Sequence, residues 1–219
     1  LWVFLYHFFP VYTDLPKVDL LEVGYLGVDV FFVLSGFILT YVYYDKFFVN
    51  KVSARDYYNF LVKRFAKIYP LHFIITMVFI PLLCIAKSLF HQNSLVVDFD
   101  ALLQNFLLIH SWATTFRLSW NFPSWSISAE WFAYLFLFAP LAIIFRTRKL
   151  FFYTISSILV IGFVANWLGI PNFTMDRYTM NGLPRIVPEF TLGVLAGLFR
   201  MKIGLTKSFS TLLFFTSLL

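Results

Sequence analysis

Three side chains that can carry or transfer a proton, His7, Asp29 and Glu130, lie inside long apolar segments of this chain. Histidine is the side chain whose ordinary pKa lies nearest neutral pH, which makes His7 a candidate general base. A carboxylate inside hydrocarbon costs at least about 2.5–3.5 kcal/mol, so proteins that keep one pair it inside a bundle or use it. All three residues are therefore candidate catalytic groups.

Each of the three also has a structural interpretation. His7 lies just before Pro10, near the outer end of its apolar segment, where a histidine can simply bond a neighbour at the membrane interface. Asp29 can form an ion pair with a neighbouring helix. Around Glu130, the serines of the segment 124–130 can cap a helix, but capping does not explain the carboxylate, because no serine or threonine stands three positions before it.

A pair of cations forms a second kind of candidate site. Arg64 and Lys67 are three positions apart, so one turn of a helix presents both on the same face. Two cations on one face suit an anion, and phosphate is the natural ligand. The adjacent Tyr69-Pro70 favours phosphate binding over ordinary cytoplasmic anchoring, which explains basic residues at the end of any membrane helix. We therefore predict that Arg64, Lys67 and Tyr69 contact a phosphorylated ligand.

Other polar residues in apolar segments have simpler explanations. The pair Ser35-Gly36 favours close helix packing, as small residues do in membranes, over a nucleophilic serine, because no base is evident beside Ser35. Arg185 and Glu189 are four positions apart and can pair along one helix. Neither pattern predicts a metal site.

The composition indicates the elements that must position these residues. Hydrophobic residues make up 60% of the chain and charged residues 13%, about half the charge of a soluble domain. The net charge of +6 does not indicate nucleic-acid binding, because the basic residues gather in short loops between apolar segments. The positive-inside rule places those loops in the cytoplasm; they are 45–66, 146–149 and 200–207.

The fold class that follows is an all-α polytopic transmembrane helix bundle. We predict full-length spans at 23–44, 67–86, 125–145, 150–169 and 183–200. The segment 101–113 is too short to cross and predicts a re-entrant or interfacial helix. Both ends of the chain lie in apolar helical segments, so we expect residues 1–219 to be one transmembrane domain truncated at both ends.

Taken together, these segments resemble the acyltransferase 3 family of integral membrane acyltransferases. Five segments carry the resemblance: His7, 27–37, 64–70, 125–130 and 185–193. It implies a bundle of about ten helices, of which this chain would hold seven to eight, and it makes His7 the catalytic residue. It also implies that Arg64 and Lys67 contact acyl-CoA, although lysine at the second position lacks the planar fork of arginine.

The function that the resemblance implies is transfer of an acyl group, expected to be acetyl, from acyl-CoA to a hydroxyl of a cell-surface carbohydrate or lipid-linked glycan. His7 would activate the acceptor or relay the acyl group, while Glu130 or Asp29 would orient it. Trp125, Ser126, Arg185 and Glu189 would bind substrate or support the site. The expected location is the bacterial inner membrane, in contact with its lipids. A transporter or flippase of a surface-polymer precursor, and a non-catalytic partner in a polymer complex, are the alternatives.

Overall fold

The computed structural model describes residues 26–90, 99–114, 120–146 and 182–203, together with Val3 and Gly24. Within these residues the fold is helical and contains no strand. The helices are α1 (Leu26–Val49), α2 (Ala54–Phe90), α3 (Phe99–Phe106), α4 (Trp125–Arg146) and α5 (Leu183–Ile203). His7 and the predicted span 150–169 lie outside the described residues, so the predicted number of helices is not tested.

Three of these helices are long and apolar enough to cross a membrane: Leu26–Val49, Ala54–Leu89 and Trp125–Arg146. They confirm the prediction of a helical membrane protein. The predicted span 183–200 is also helical, within α5.

The start of α2 corrects the prediction that residues 45–66 form a loop. The helix begins at Ala54 because Ser53 and Asp56 cap it reciprocally: the Ser53 hydroxyl donates to the Asp56 carboxylate at 2.7 Å, and the Asp56 amide donates to the Ser53 hydroxyl at 3.1 Å. Its 37 residues extend about 55 Å, well beyond a hydrocarbon core of about 30 Å. Arg64 and Lys67 therefore lie inside α2 and not at its first turn.

Glycines bring α1 and α5 into direct backbone contact. A Cβ atom built at Gly36 would overlap the Phe190 carbonyl oxygen, and one built at Gly193 would overlap the Val33 carbonyl oxygen. Gly197 similarly faces Thr40. Close helix packing at residues 35–36 was therefore correctly predicted, but Gly36 provides it and Ser35 does not.

An aromatic cluster joins the helices at the other end of α1. Phe47, Phe60 and Phe138 come from α1, α2 and α4 and are at most 1% exposed. Their ring centroids lie 5.0–5.4 Å apart. Two π-helical turns lie beside this cluster, Tyr44–Val49 in α1 and Ala133–Leu137 in α4. The cluster fixes α2 against α4 and so sets the position of the polar residues between them.

The short helix α3 matches the prediction of a short element near 101–113, but it ends at Phe106. The chain then turns through Leu108 and Ala113, both of which have positive φ angles. The carbonyl of Asn105 bonds the His72 imidazole at 2.8 Å and fixes α3 to α2. The interfacial placement of this helix stays a prediction.

Candidate functional site

A cavity of about 510 Å³ opens between α1, α2 and α4. Its apolar wall comes mainly from α1, and Val3 also contributes to it. Six polar side chains line it: Ser35, Arg64, Lys67, Ser126, Glu130 and Tyr134. The fold therefore brings the predicted cation pair and the predicted carboxylate Glu130 into one site.

Two hydroxyl groups fix the Glu130 carboxylate. Ser35 Oγ from α1 and the Tyr134 hydroxyl from α4 both donate to Glu130 Oε1, each at 2.5 Å. Tyr134 lies four positions after Glu130, at the start of the π-helical turn, so the two side chains share a face of α4. No described residue donates a hydrogen bond to Oε2.

Arg64 is a cation without a carboxylate partner among the described residues. Its Nη2 donates to the Tyr43 hydroxyl at 3.2 Å, and its guanidinium lies 5.4 Å from the Tyr43 ring centroid and 5.8 Å from that of Phe60. Its buried Nε donates to no acceptor in the described part of the chain. A half-buried guanidinium with unused donors on a cavity wall is suited to an anionic ligand.

Lys67 shares this wall, as the three-residue spacing predicts, and its side chain is exposed. Tyr69 does not line the cavity. Its ring stacks on Phe65 at 4.3 Å between centroids and lies 6.1 Å from Phe73. The structure therefore does not bring Tyr69 to the cation pair, and its predicted contact with a phosphorylated ligand stays untested.

Asp29 pairs with Arg185 across the contact between α1 and α5. Arg185 Nε donates to Asp29 Oδ1 at 3.0 Å, and Nη2 donates to the same oxygen. The Arg185 guanidinium also lies 5.0 Å from the Trp125 ring centroid. The structure shows the interhelical ion pair that was one of the two interpretations of Asp29, while Trp125 supports the cation.

The predicted pairing of Arg185 with Glu189 along α5 is wrong. The glycine contact brings Asp29 of α1 against Arg185, and the guanidinium bonds that carboxylate instead. Glu189 is 7% exposed, and its Oε2 has no hydrogen-bond partner within the described chain. The local four-residue spacing was therefore outweighed by an interhelical contact.

Ser35 also departs from its prediction. We expected it to serve helix packing because no base was evident beside it, but its hydroxyl bonds Glu130 on α4. Serine capping of α4 is not found either: Ser124 precedes the helix, and its hydroxyl donates to the Asn121 carbonyl at 2.7 Å. Ser126 lines the cavity.

Two site residues were missed in the sequence, Tyr43 and Tyr134. Tyr134 had a usable signal, because a tyrosine four positions after a membrane carboxylate can bond it within one helix. Tyr43 had none, since its partner Arg64 belongs to another helix.

A buried polar cluster outside the cavity holds the loop that precedes α4. The rings of His72 and His110 are nearly parallel, with centroids 6.1 Å apart. Asn121 Nδ2 donates to His72 Nδ1 at 3.3 Å, and Ser124 Oγ lies 3.2 Å from His110 Nε2. Burial, together with the nearby His72, lowers the pKa of His110 to about 4. Both rings are therefore part of a buried hydrogen-bonded cluster and do not line the cavity.

Comparison with known proteins identifies the family of this chain. The model of the acyltransferase 3 family, described as an acyltransferase domain, matches residues 1–219. The chain is 36% identical over 115 residues to acyltransferase MdmB of Streptomyces mycarofaciens. That match covers 51% of this chain and 27% of MdmB, so the aligned part spans about a quarter of the relative's length. No solved structure matches the chain.

Proposed function

The chain belongs to the acyltransferase 3 family, and on this premise we propose that it transfers an acyl group from acyl-CoA to a hydroxyl of a cell-surface carbohydrate. The observation that carries the proposal is the shared cavity, because it is lined both by Arg64, a cation with no carboxylate partner among the described residues, and by the carboxylate Glu130, whose Oε2 accepts no hydrogen bond from them. Acyl transfer from acyl-CoA needs a cation that binds the phosphates of the donor and a base that accepts the proton of the acceptor hydroxyl. Arg64 would be the cation and Glu130 the base.

The donor would bind through the phosphates of acyl-CoA. Arg64 Nε has no hydrogen-bond partner among the described residues, and Lys67 adds a second charge one turn away. The Tyr43 hydroxyl accepts a hydrogen bond from Arg64 Nη2, which would orient the other N–H groups of the guanidinium. The apolar wall from α1 would receive the acyl group, which we expect to be acetyl.

The acceptor hydroxyl must lose a proton as it attacks the acyl carbonyl carbon, and the thiolate of CoA must gain one. Glu130 Oε2 and His7 are the groups we assign to this transfer. His7 lies outside the described residues, and its assignment rests on the resemblance of its segment to the family. Asp29 is assigned a supporting role through its ion pair with Arg185.

The acceptor is proposed to be a carbohydrate or lipid-linked glycan on the outer side of the bacterial inner membrane, and residues 1–219 to be part of a single transmembrane domain. The basic loops predicted to be cytoplasmic would place α2 with its N-terminal end toward the CoA pool. The three helices long enough to span a membrane support this location.

Membranes that contain the full-length protein, incubated with labelled acetyl-CoA, test the proposal. We expect label in the glycan fraction, loss of about 10²–10⁴-fold in kcat for Glu130→Gln, and a raised KM for acetyl-CoA in Arg64→Met. Lys63→Met is the matched control, since this exposed neighbour does not line the cavity.

Equal KM values for Arg64→Met and Lys63→Met would contradict the donor site. The absence of transfer to any glycan acceptor, with wild-type protein present in the membrane, would favour the transporter alternative.

A further inference from the structure

We propose that Ser35 is a covalent acyl carrier, which accepts the acyl group from the donor thioester before the carbohydrate receives it. The inference rests on the proposed acyl-CoA chemistry of the same cavity. It adds a covalent acyl-enzyme intermediate between the donor and the acceptor, with Ser35 of α1 as the nucleophile.

The hydrogen bond of Ser35 differs from those of the threonines in the same bundle. Thr40, Thr76 and Thr191 each donate to the carbonyl four positions earlier in their own helix, at 2.6–2.9 Å. This is the ordinary way in which a hydroxyl is satisfied inside a membrane helix. Ser35 instead donates to a carboxylate on another helix, at 2.5 Å. A hydrogen bond to a carbonyl of its own helix therefore does not explain the position of the Ser35 hydroxyl.

The arrangement has the three parts that an activated nucleophile needs. Ser35 Oγ is the nucleophile, Glu130 is the base within hydrogen-bond reach, and Tyr134 orients the base by donating to the same carboxylate oxygen. The Tyr134 hydroxyl also lies 3.4 Å from Ser35 Oγ. All three side chains line the cavity that holds the cation pair.

The backbone around Ser35 packs directly against α5. Its neighbour Gly36 touches the Phe190 carbonyl of α5, at a separation that leaves no room for a Cβ atom. Ser35 lies on a different face, toward α4, and remains partly exposed to the cavity. A nucleophile on a fixed helix meets a bound thioester in a constant geometry, which favours reaction.

The chemistry balances in two steps. Ser35 Oγ forms an ester bond to the acyl carbonyl carbon, the carbon–sulfur bond of the thioester breaks, and Glu130 passes the serine proton to the departing CoA thiolate. The acceptor hydroxyl then attacks the acyl-serine ester, the bond to Ser35 Oγ breaks, and the acceptor proton returns to that oxygen. No oxidant, reductant or further reactant is needed.

The test uses labelled acetyl-CoA and the full-length protein in membranes without acceptor. We expect covalent label on the peptide that contains Ser35, release of one CoA thiol for each label, and transfer of the label when the glycan acceptor is added. Ser35→Ala should lose the label and at least about 100-fold of the transfer activity. Ser88→Ala, which changes an exposed serine of α2, should retain both.

Ser35→Cys separates covalent catalysis from a structural role of the serine. An acylated cysteine is a thioester, which neutral hydroxylamine cleaves, whereas the wild-type ester resists neutral hydroxylamine. We expect label in Ser35→Cys that neutral hydroxylamine removes and wild-type label that it does not.

Transfer to the glycan without any protein-bound intermediate, or with Ser35→Ala as active as Ser88→Ala, would overturn the acyl-serine and leave the proposed function intact. Failure of the wild-type protein both to release CoA and to transfer label would contradict the proposed function, and with it this inference.

Discussion

Two groups of charged side chains inside this bundle differ in their partners. Asp29 and Arg185 neutralise each other between α1 and α5, with Trp125 beside the cation. Glu130 is held by neutral hydroxyls, and Arg64 by Tyr43. The first group stabilises the helix contact, whereas the second keeps its charges available to a ligand in the cavity. A substitution in the first group should therefore affect folding, and one in the second group should affect activity.

Arg185→Gln should lower the free energy of unfolding by about 3–5 kcal/mol, because Asp29 is left buried without its cation. Adding Asp29→Asn should recover part of that loss, since residue 29 is then no longer an unpaired carboxylate, while the buried Glu189 beside the pair still lacks the nearby cation. Denaturation in detergent, followed by tryptophan fluorescence, measures both variants. Arg200→Gln, near the end of the same helix, is the control, with an expected change within about 0.5 kcal/mol. Additive effects in the double variant would show that the pair is not coupled.

At the scale of elements, the close crossing of α1 and α5 positions both groups. Gly36 and Gly193 allow the backbones to touch, which brings Asp29 to Arg185 and leaves Ser35 facing α4. The crossing thus links the stability of one helix pair to the geometry of the cavity.

Gly193→Ala should destabilise the protein by about 1–3 kcal/mol, because its Cβ would overlap the Val33 carbonyl oxygen and force the helices apart. It should also lower the transfer activity by displacing Ser35. Thermal unfolding and the acetyl-transfer assay measure the two effects. Ala196→Leu adds a larger side chain to an exposed position of the same helix and should change neither quantity. An equal response to both substitutions would contradict the crossing.

The loop before α4 gives a pH-dependent prediction. The pKa of His110 is about 4 in the folded protein against an ordinary value of 6.5, so between these pH values the unfolded chain binds a proton that the folded protein excludes. Stability should therefore fall by up to about 3 kcal/mol as the pH is lowered from 6.5 to 4. His110→Gln, which carries no titrating proton, should show a flatter dependence. The measurement is the unfolding midpoint at several pH values, and parallel curves would disprove the role of His110.

At the scale of the whole molecule, α2 is longer than a membrane is thick. Residues 50–53 precede it, and Phe99 of α3 follows it by nine positions. The positive-inside rule predicts that residues 50–53 lie in the cytoplasm, close to the CoA pool.

Single cysteines test this orientation in a Cys84→Ser background, since Cys84 is the only cysteine. Lys51→Cys should react with a membrane-impermeant maleimide only from the cytoplasmic side, and Phe99→Cys only from the outside. Both positions are exposed. Labelling of both from one side would show that α2 does not cross the membrane.

The sequence by itself determined the features that depend on composition and local period. The apolar content predicts a membrane protein, the motif segments predict the family, and the three-residue spacing places Arg64 and Lys67 on one cavity wall. The role of His7 stays a prediction. Ser53 and Asp56 are a local signal for the start of α2, but the prediction of a loop over residues 45–66 did not use it.

Only the tertiary structure decided which polar groups meet. Asp29 finds Arg185 at a distance of 156 positions along the chain, and Ser35 finds Glu130 at 95 positions. No local pattern encodes such pairs, because they follow from which helix faces lie together, and here glycines and an aromatic cluster decide that. For the same physical reason Ser35 changed from a packing residue to the candidate nucleophile of this site.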